Sequence, residues 1–412
     1  MCVRSIERSG TIWTALAYII TTVIGSGVLS LAWSISQLGW IAGPLIILAF
    51  ASVTLTSAFL LCNCYKSPDV NNGMHINGSY LDVVQRILGK KNAWICGIIV
   101  RVNFIKLGIV YTITASTSMR AIQRSNCFHS KGHNAACRYD ETHYMLIFGI
   151  VQLIVSQIPD FWNIEWLSVI VAIMSFTYSG IGSALGMAKV IENGEIKGSI
   201  GGVPTSTVAK KVWSISQALG DIAFAFPFSV IFLEIMDTLR SNPLEKVTMK
   251  KASVLAVCVT TFFYFCCGGF GYAAFGNSTP GNLLTGQPPY ASIEKSFANK
   301  FPNNRFVHYN LKQVPVLRLN PMRLCLRTAY VGFTTGFAVL FPYFNQVVGV
   351  AGAINFWPVV VYFPVEMYLV QKNIEPWSRE SIVLRIYCFV TLLVILFAFV
   401  GSIKGLISAH LS

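Results

Sequence analysis

Charge is what this sequence has least of. Of its 412 residues, 12% are Asp, Glu, Lys or Arg, and the acids number only 17. An ordinary soluble domain carries about twice that charged share, so a wholly water-exposed surface is excluded. Histidine is scarce as well: His75, His129, His133, His143, His308 and His410 are the six, and each falls in a polar stretch or the tail. No imidazole is therefore expected inside an apolar run as a proton relay. No cluster has metal-ligand spacing, no Ser-His-Asp set is present, and no phosphate loop occurs. The G-S-G at 25–27 lacks the preceding strand that a nucleotide fingerprint requires. Neither an enzyme nor a bound cofactor is expected. Basic-helix, zinc-finger and RNA-binding signatures are missing too, so the net charge of +14 is assigned to loops on the cytosolic face and not to nucleic acid. No cleavable leader is expected, because the first apolar run is too long and lacks a cleavage site.

What the chain does have is apolar length. Hydrophobic residues make up 54% of it and mean hydropathy is +0.59, the composition of an all-α polytopic membrane protein. About ten apolar runs are long enough to cross, or nearly cross, a bilayer: Thr11–Trp33, Trp40–Cys62, Ala93–Met119, Tyr144–Ile158, Trp166–Ala188, Val212–Met236, Ala252–Phe275, Leu324–Phe344, Val347–Val370 and Ile382–Ile407. The connectors 63–92, 120–143, 192–204 and 276–323 read as polar loops. The whole chain, 1–412, reads as one transmembrane unit. Residues 11–190 form a first half of five spans, 211–370 a second half, and 382–407 a last span. The 11 cysteines lie mostly in apolar runs as small hydrophobes. Only Cys127 and Cys137 share a polar loop, where they can pair if that loop faces an oxidising side.

Two runs are interrupted. The first, TIWTALAYIITTVIGSGVLSLAW, holds Gly25-Ser26-Gly27 at its middle, and the sixth, VWSISQALGDIAFAFPFSVIFLEIM, holds Gly220, Asp221 and Pro227. Proline removes a helix hydrogen bond, and freed backbone groups in a membrane must face a cavity or protein. Each run opens one of the two halves, and interruptions at matching positions are the sequence pointer to a transporter's site. Close packing on small residues is the alternative for the first break.

The stretches TIWTALAYIITTVIGSGVLSLAW (11–33), SNCFH (125–129), SQIPDFWNIEWLSVIVAIMSFTYS (156–179), LGDIAFAFPFSVIFLEIMDTL (219–239), GYAAFGNSTPGNLLTG (271–286) and FWPVVVYFPVEM (356–367) resemble plant amino acid permeases of the amino acid/auxin permease family. The resemblance runs from Gly10 to Leu284 and from about Pro289 onward. It implies a multi-pass protein of the plasma membrane with a cytosolic N-terminus and a LeuT-like inverted-repeat fold. It also implies proton-coupled import of amino acids, the proton being the coupling ion. Residues Ile24, Gly25, Ser26, Gly27 and Val28 would hold the substrate carboxylate. Asp221, Ala223, Phe224 and Phe226 would face its amine and side chain.

The chain departs from that family in several places. Tyr18 stands where the family has His, and Arg101 and Lys106 stand where it has uncharged residues. Most of the acidic N-terminal tail is missing. Between Gly286 and Pro289 about one span is absent, leaving about ten where the family has eleven. The charge pattern argues the same way: 240–251 and 276–323 are both basic, yet only one run separates them. A single span cannot return a chain to the side it left, so an element is absent, the later half inserts in the reverse sense, or the run Ala252–Phe275 does not span.

With no His in the spans, coupling falls to carboxylates, and Asp221 and Glu234 are the candidates. Arg101 and Lys106, about 140° apart on one helix, cannot share a face. They read as drift in a relaxed gene, with an anionic-substrate site as the alternative. The function expected is amino acid symport. The alternatives are a truncated relic that does not transport, or an auxin-type carrier.

Overall fold

The computed structural model describes residues 8–69, 73–131, 137, 139–156, 165–242, 244–280 and 321–411. The expected missing span at 286–289, the Pro159-Asp160 stop, His133 and His308 all lie outside the described residues. The chain is an all-α polytopic membrane protein. Among the described residues, six helical segments are long and apolar enough to cross a membrane by length and composition, and Ile12–Val23, Glu141–Ser156 and Thr328–Leu340 are shorter apolar helices.

The first run is broken where its glycines fall. Helix α1, Ile12–Val23, ends with the Ile24 N–H donating to Ile20 O at 2.8 Å. Gly25 is extended, at φ −123° and ψ −155°, and a 3-10 turn at Ser26–Ser30 leads into α2, Leu31–Cys64. Within α2 the path turns at Gly39, whose φ is +86°. A Cβ there would lie 2.0 Å from Ile200 O, so only glycine fits this corner. The glycine-rich connector docks against it: Val203 N–H donates to Ser36 O at 2.8 Å, and Lys211 Nζ to Gln37 O at 2.7 Å and Val203 O at 2.9 Å.

The connector expected as loop 63–92 is structured. It holds an antiparallel hairpin of β1, Lys66–Asp69, and β2, Gly73–Ile76, and then the first turns of α3, Tyr80–Lys131, which bends at Gly89. The expected loop 120–143 also needs correction, because α3 continues to Lys131. Its hydropathy falls after Met119, but no Gly or Pro interrupts it, and Arg120 pairs with Glu141 at the start of α4, Glu141–Ser156. Cys127 and Cys137 are joined in a disulfide. His143 lies in the first turn of α4, not in a loop.

After α5, Glu165–Asn193, the sixth run splits into α6, Val208–Ala225, and α7, Ser229–Asp237. Pro227 cannot return a hydrogen bond to Ala223 O, four residues back, and the helix ends there. Helix α8, Glu245–Phe275, packs along α2 and α5. The second half closes with α9, Pro321–Leu340, and α10, Phe344–Phe356. A π-helical turn at Trp357–Tyr362, α11 at Phe363–Gln371 and α12 at Arg379–Leu411 follow. His410 sits in the last turn of α12, its ring 5.3 Å from that of Phe341, and so belongs to the helix and not to a tail.

Tyrosines close the open backbone. Tyr264 on α8 donates to Val23 O at 2.8 Å and to Ala225 O at 2.6 Å, so one phenol joins the ends of α1 and α6. Tyr178 on α5 donates to Ile24 O and Gly25 O, both at 2.9 Å. Tyr80 donates to Val359 O at 2.7 Å, whose π-helical donor position is occupied by Pro364. At the end of the bundle that holds the N-terminal residues, Arg8 pairs with Asp237 at 2.8 Å and Glu245 at 3.4 Å, and Lys66 pairs with Glu245 at 2.9 Å. The backbone of Gly10 bonds to both sides of Leu239, through Thr238 O and the Arg240 N–H.

Tyr264→Phe removes the hydroxyl that both carbonyls share. It is expected to lower stability by about 1–3 kcal/mol, the cost of a buried polar group left without a partner. Unfolding of the full chain by titration with a denaturing detergent measures this, with Phe262→Leu, at an outward position, as the unaffected control.

Candidate functional site

The two helix breaks face each other. A Cβ on Gly27 would sit 3.0 Å from Ala225 Cα and 3.1 Å from the Phe224 ring, so the broken segments touch backbone to backbone. Beside this contact lies a cavity of about 400 Å³. The α1–α2 break contributes Gly25, Ser26 and Gly27, and the α6–α7 break contributes Phe224, Pro227 and Phe228. Helix α3 supplies Asn103, Lys106 and Tyr111, and α10 supplies Asn355. The mouth is at mid-bundle, rimmed by Thr22, Phe104 and Tyr111, all of them exposed.

The lining is apolar with a few unsatisfied polar atoms, the pattern of a small-molecule site. Ser26 is 6% exposed and Asn355 is 4% exposed, yet neither Ser26 Oγ nor Asn355 Oδ1 has a hydrogen-bond partner among the described residues. The N–H groups of Ser26 and Gly27 likewise carry no backbone bond among the described residues, whereas Gly25 and Val28 do. On the carbonyl side, Ala223 O has lost its donor to Pro227. The first break thus presents hydrogen-bond donors beside the cavity and Asn355 Oδ1 an acceptor, while Ala223 O lies behind the lining. Lys106 adds a cation: its Nζ donates to Ala351 O at 2.5 Å and lies 5.5 Å from the centre of the Phe224 ring.

Of the residues expected at the site, Gly25, Ser26, Gly27 and Phe224 line the cavity. Ile24, Val28, Ala223 and Phe226 are buried behind it. Asp221 also lies outside the lining: it is fully buried on the far side of α6, where its carboxyl faces Gly349 of α10. Neither carboxyl oxygen has a charged partner among the described residues; the neighbouring polar side chain is the Ser34 hydroxyl of α2. Glu234 on α7 is exposed and off the cavity. Asn103, Tyr111 and Asn355 were not anticipated. Their signal in the sequence is slight, a lone polar side chain within an apolar run.

Residues 8–408 match the family described as transmembrane amino acid transporter protein. The chain belongs to this family. As a transporter and not an enzyme, it is similar to "Probable amino acid permease 7" of Arabidopsis thaliana, at 53% identity over 98% of this chain and 94% of that protein. It is 46% identical to "Amino acid permease 2" of the same plant, over 97% of this chain and 88% of that protein. "Lysine histidine transporter-like 4" aligns at 26% identity over 94% and 87%. The first alignment occupies 440 positions for a 412-residue chain, leaving at least 28 at which this transporter has no residue.

Gly27→Val drives methyl groups into Ala225 and Phe224 and separates the two breaks. Amino acid binding to the purified transporter is expected to fall by at least about tenfold, the scale of losing about 1.4 kcal/mol. Gly332→Ala, whose added Cβ meets nothing within 4 Å, is expected to bind as the parent does.

Proposed function

We propose that this chain carries amino acids across the plasma membrane by alternating access around the paired helix breaks, with its N-terminus in the cytosol. The observation that carries this reading is the cavity between the α1–α2 and α6–α7 breaks. It combines the unpartnered Ser26 hydroxyl with the bare N–H groups beside it, and the unpartnered amide carbonyl of Asn355. Donors suit a carboxylate and carbonyls suit an ammonium, the two groups common to all amino acids. Two discontinuous spans opening two halves are the arrangement of inverted-repeat, LeuT-like carriers, in which the half-helix ends hold the substrate at mid-membrane.

Proton coupling is assigned to Asp221. A carboxyl group buried in a span without a charged partner marks an ion path by default. Its position behind the cavity, between α6 and α10, puts it where α6 must slide if the bundle rocks. Glu234, on the outward side of α7, is the lesser candidate.

A second reading concerns activity and not ancestry. At least 28 aligned positions without a residue exceed the about 20 that one span needs, and the cavity mouth opens at mid-bundle between α1 and α3. Both observations suit a carrier that has lost one span of its scaffold, with weakened transport.

Uptake of radiolabelled amino acids by a transport-deficient yeast tests both readings. The sequence as it stands is expected to transport weakly. A version with a family-like span inserted after Gly286 is expected to transport well and to stop when a protonophore collapses the gradient. Asp221→Asn in that version is expected to remove the dependence on pH. Uptake by the intact sequence equal to that of the extended one would overturn the lost-span reading.

A further inference from the structure

We infer that Lys106 gives the central cavity a second anion-binding position, so that the transporter selects amino acids with a carboxylate side chain. This rests on the reading that the cavity holds an amino acid, and it names which class.

Lys106 sits in the middle of α3, far from either helix end, so its ammonium has no short route to the membrane surface. It lines the cavity instead. Arg101, more than a turn away on a different face, is exposed. A cation held in a largely apolar cavity is costly unless it is paired. Among the described residues Lys106 makes no ion pair. The acids of the neighbouring elements do not reach it: Asp221 faces Gly349, and Glu234 is exposed on α7. Its contacts are one carbonyl, Ala351 O, and the face of Phe224. An ammonium has three donors, so two remain unspent.

The other unsatisfied groups around the cavity complete a set. Ser26 Oγ is a buried hydroxyl without a partner, and Asn355 Oδ1 a buried acceptor without a donor. Asn355 lies one turn beyond Ala351 on α10, so the acceptor and the ammonium adjoin the same helix face. An acidic amino acid carries two carboxylates and one ammonium. Its main-chain carboxylate has Ser26 and the bare N–H groups, its amine has Asn355 Oδ1, and its side-chain carboxylate has Lys106. A neutral side chain leaves the Lys106 charge uncompensated, and a basic one adds repulsion.

The full chain in lipid nanodiscs tests this by equilibrium binding of glutamate, its neutral isostere glutamine, and lysine. We expect glutamate to bind at least about tenfold more tightly than glutamine, as a charge-assisted hydrogen bond gives, and lysine to bind weakest. K106Q is expected to bring the glutamine-to-glutamate ratio of dissociation constants to about one, whereas K106R keeps glutamate ahead. Equal binding of glutamate and glutamine by the parent overturns the role of Lys106 and leaves the amino acid site standing, without recourse to any variant. So does a ratio that K106Q leaves unchanged. Failure of the parent to bind any of the three overturns the site reading and this inference with it.

Discussion

A backbone carbonyl inside a membrane has no water to fall back on. Every break in a helix there must find its partners in the protein itself, and that requirement shapes the centre of this transporter. Breaking α1 at Gly25 and α6 at Pro227 opens the ends of four half-helices at mid-bundle. Tyr178 and Tyr264 cover the carbonyls of Val23, Ile24, Gly25 and Ala225. These tyrosines come from α5 and α8, so the two breaks are held by elements outside the broken spans. The site exists because its backbone is satisfied from behind and left bare toward the cavity.

The same accounting separates two kinds of unpaired group. Ser26, Asn355 and Lys106 line the cavity, and Ser26 Oγ and Asn355 Oδ1 have no partner among the described residues. Asp221 faces the packed interface of α6 with α10, where Gly349 and Gly352 bring backbone to backbone; a Cβ on Gly352 would lie 2.1 Å from Gly220 O. A carboxyl group lodged in so tight an interface reports on how the helices slide more than on what the cavity holds. The cavity and the buried carboxyl thus lie on opposite faces of one helix.

Both breaks were legible in the sequence because Gly and Pro act locally: Gly25 and Pro227 disturb hydrogen bonds within a turn of themselves. The family could be read for the same reason, from unbroken stretches such as 219–239. The inward face of a helix is not local. Asn103, Tyr111 and Asn355 join the cavity only because α3 and α10 are rotated by their packing against other helices. In an apolar run almost any rotation looks alike. Asp221 shows the converse error: it stands next to the break in sequence, but its place on the helix turns it away from the cavity. The extension of α3 to Lys131 was hidden by hydropathy, which records where lipid ends and not where helical hydrogen bonding does.

Tyr264 carries one further consequence. A phenol has a single proton, yet its oxygen lies within bonding distance of both Val23 O and Ala225 O. Tyr178 repeats the arrangement with Ile24 O and Gly25 O. Val23 O also accepts from the Gly25 N–H at 2.9 Å, and Gly25 O from the Val28 N–H at 3.3 Å. Each phenol is thus left with one carbonyl that has no second backbone donor among the described residues, Ala225 O for Tyr264 and Ile24 O for Tyr178. Of the two, only Tyr264 reaches both broken spans, so any displacement of α1 against α6 is registered at a single hydroxyl while the helices around it stay packed.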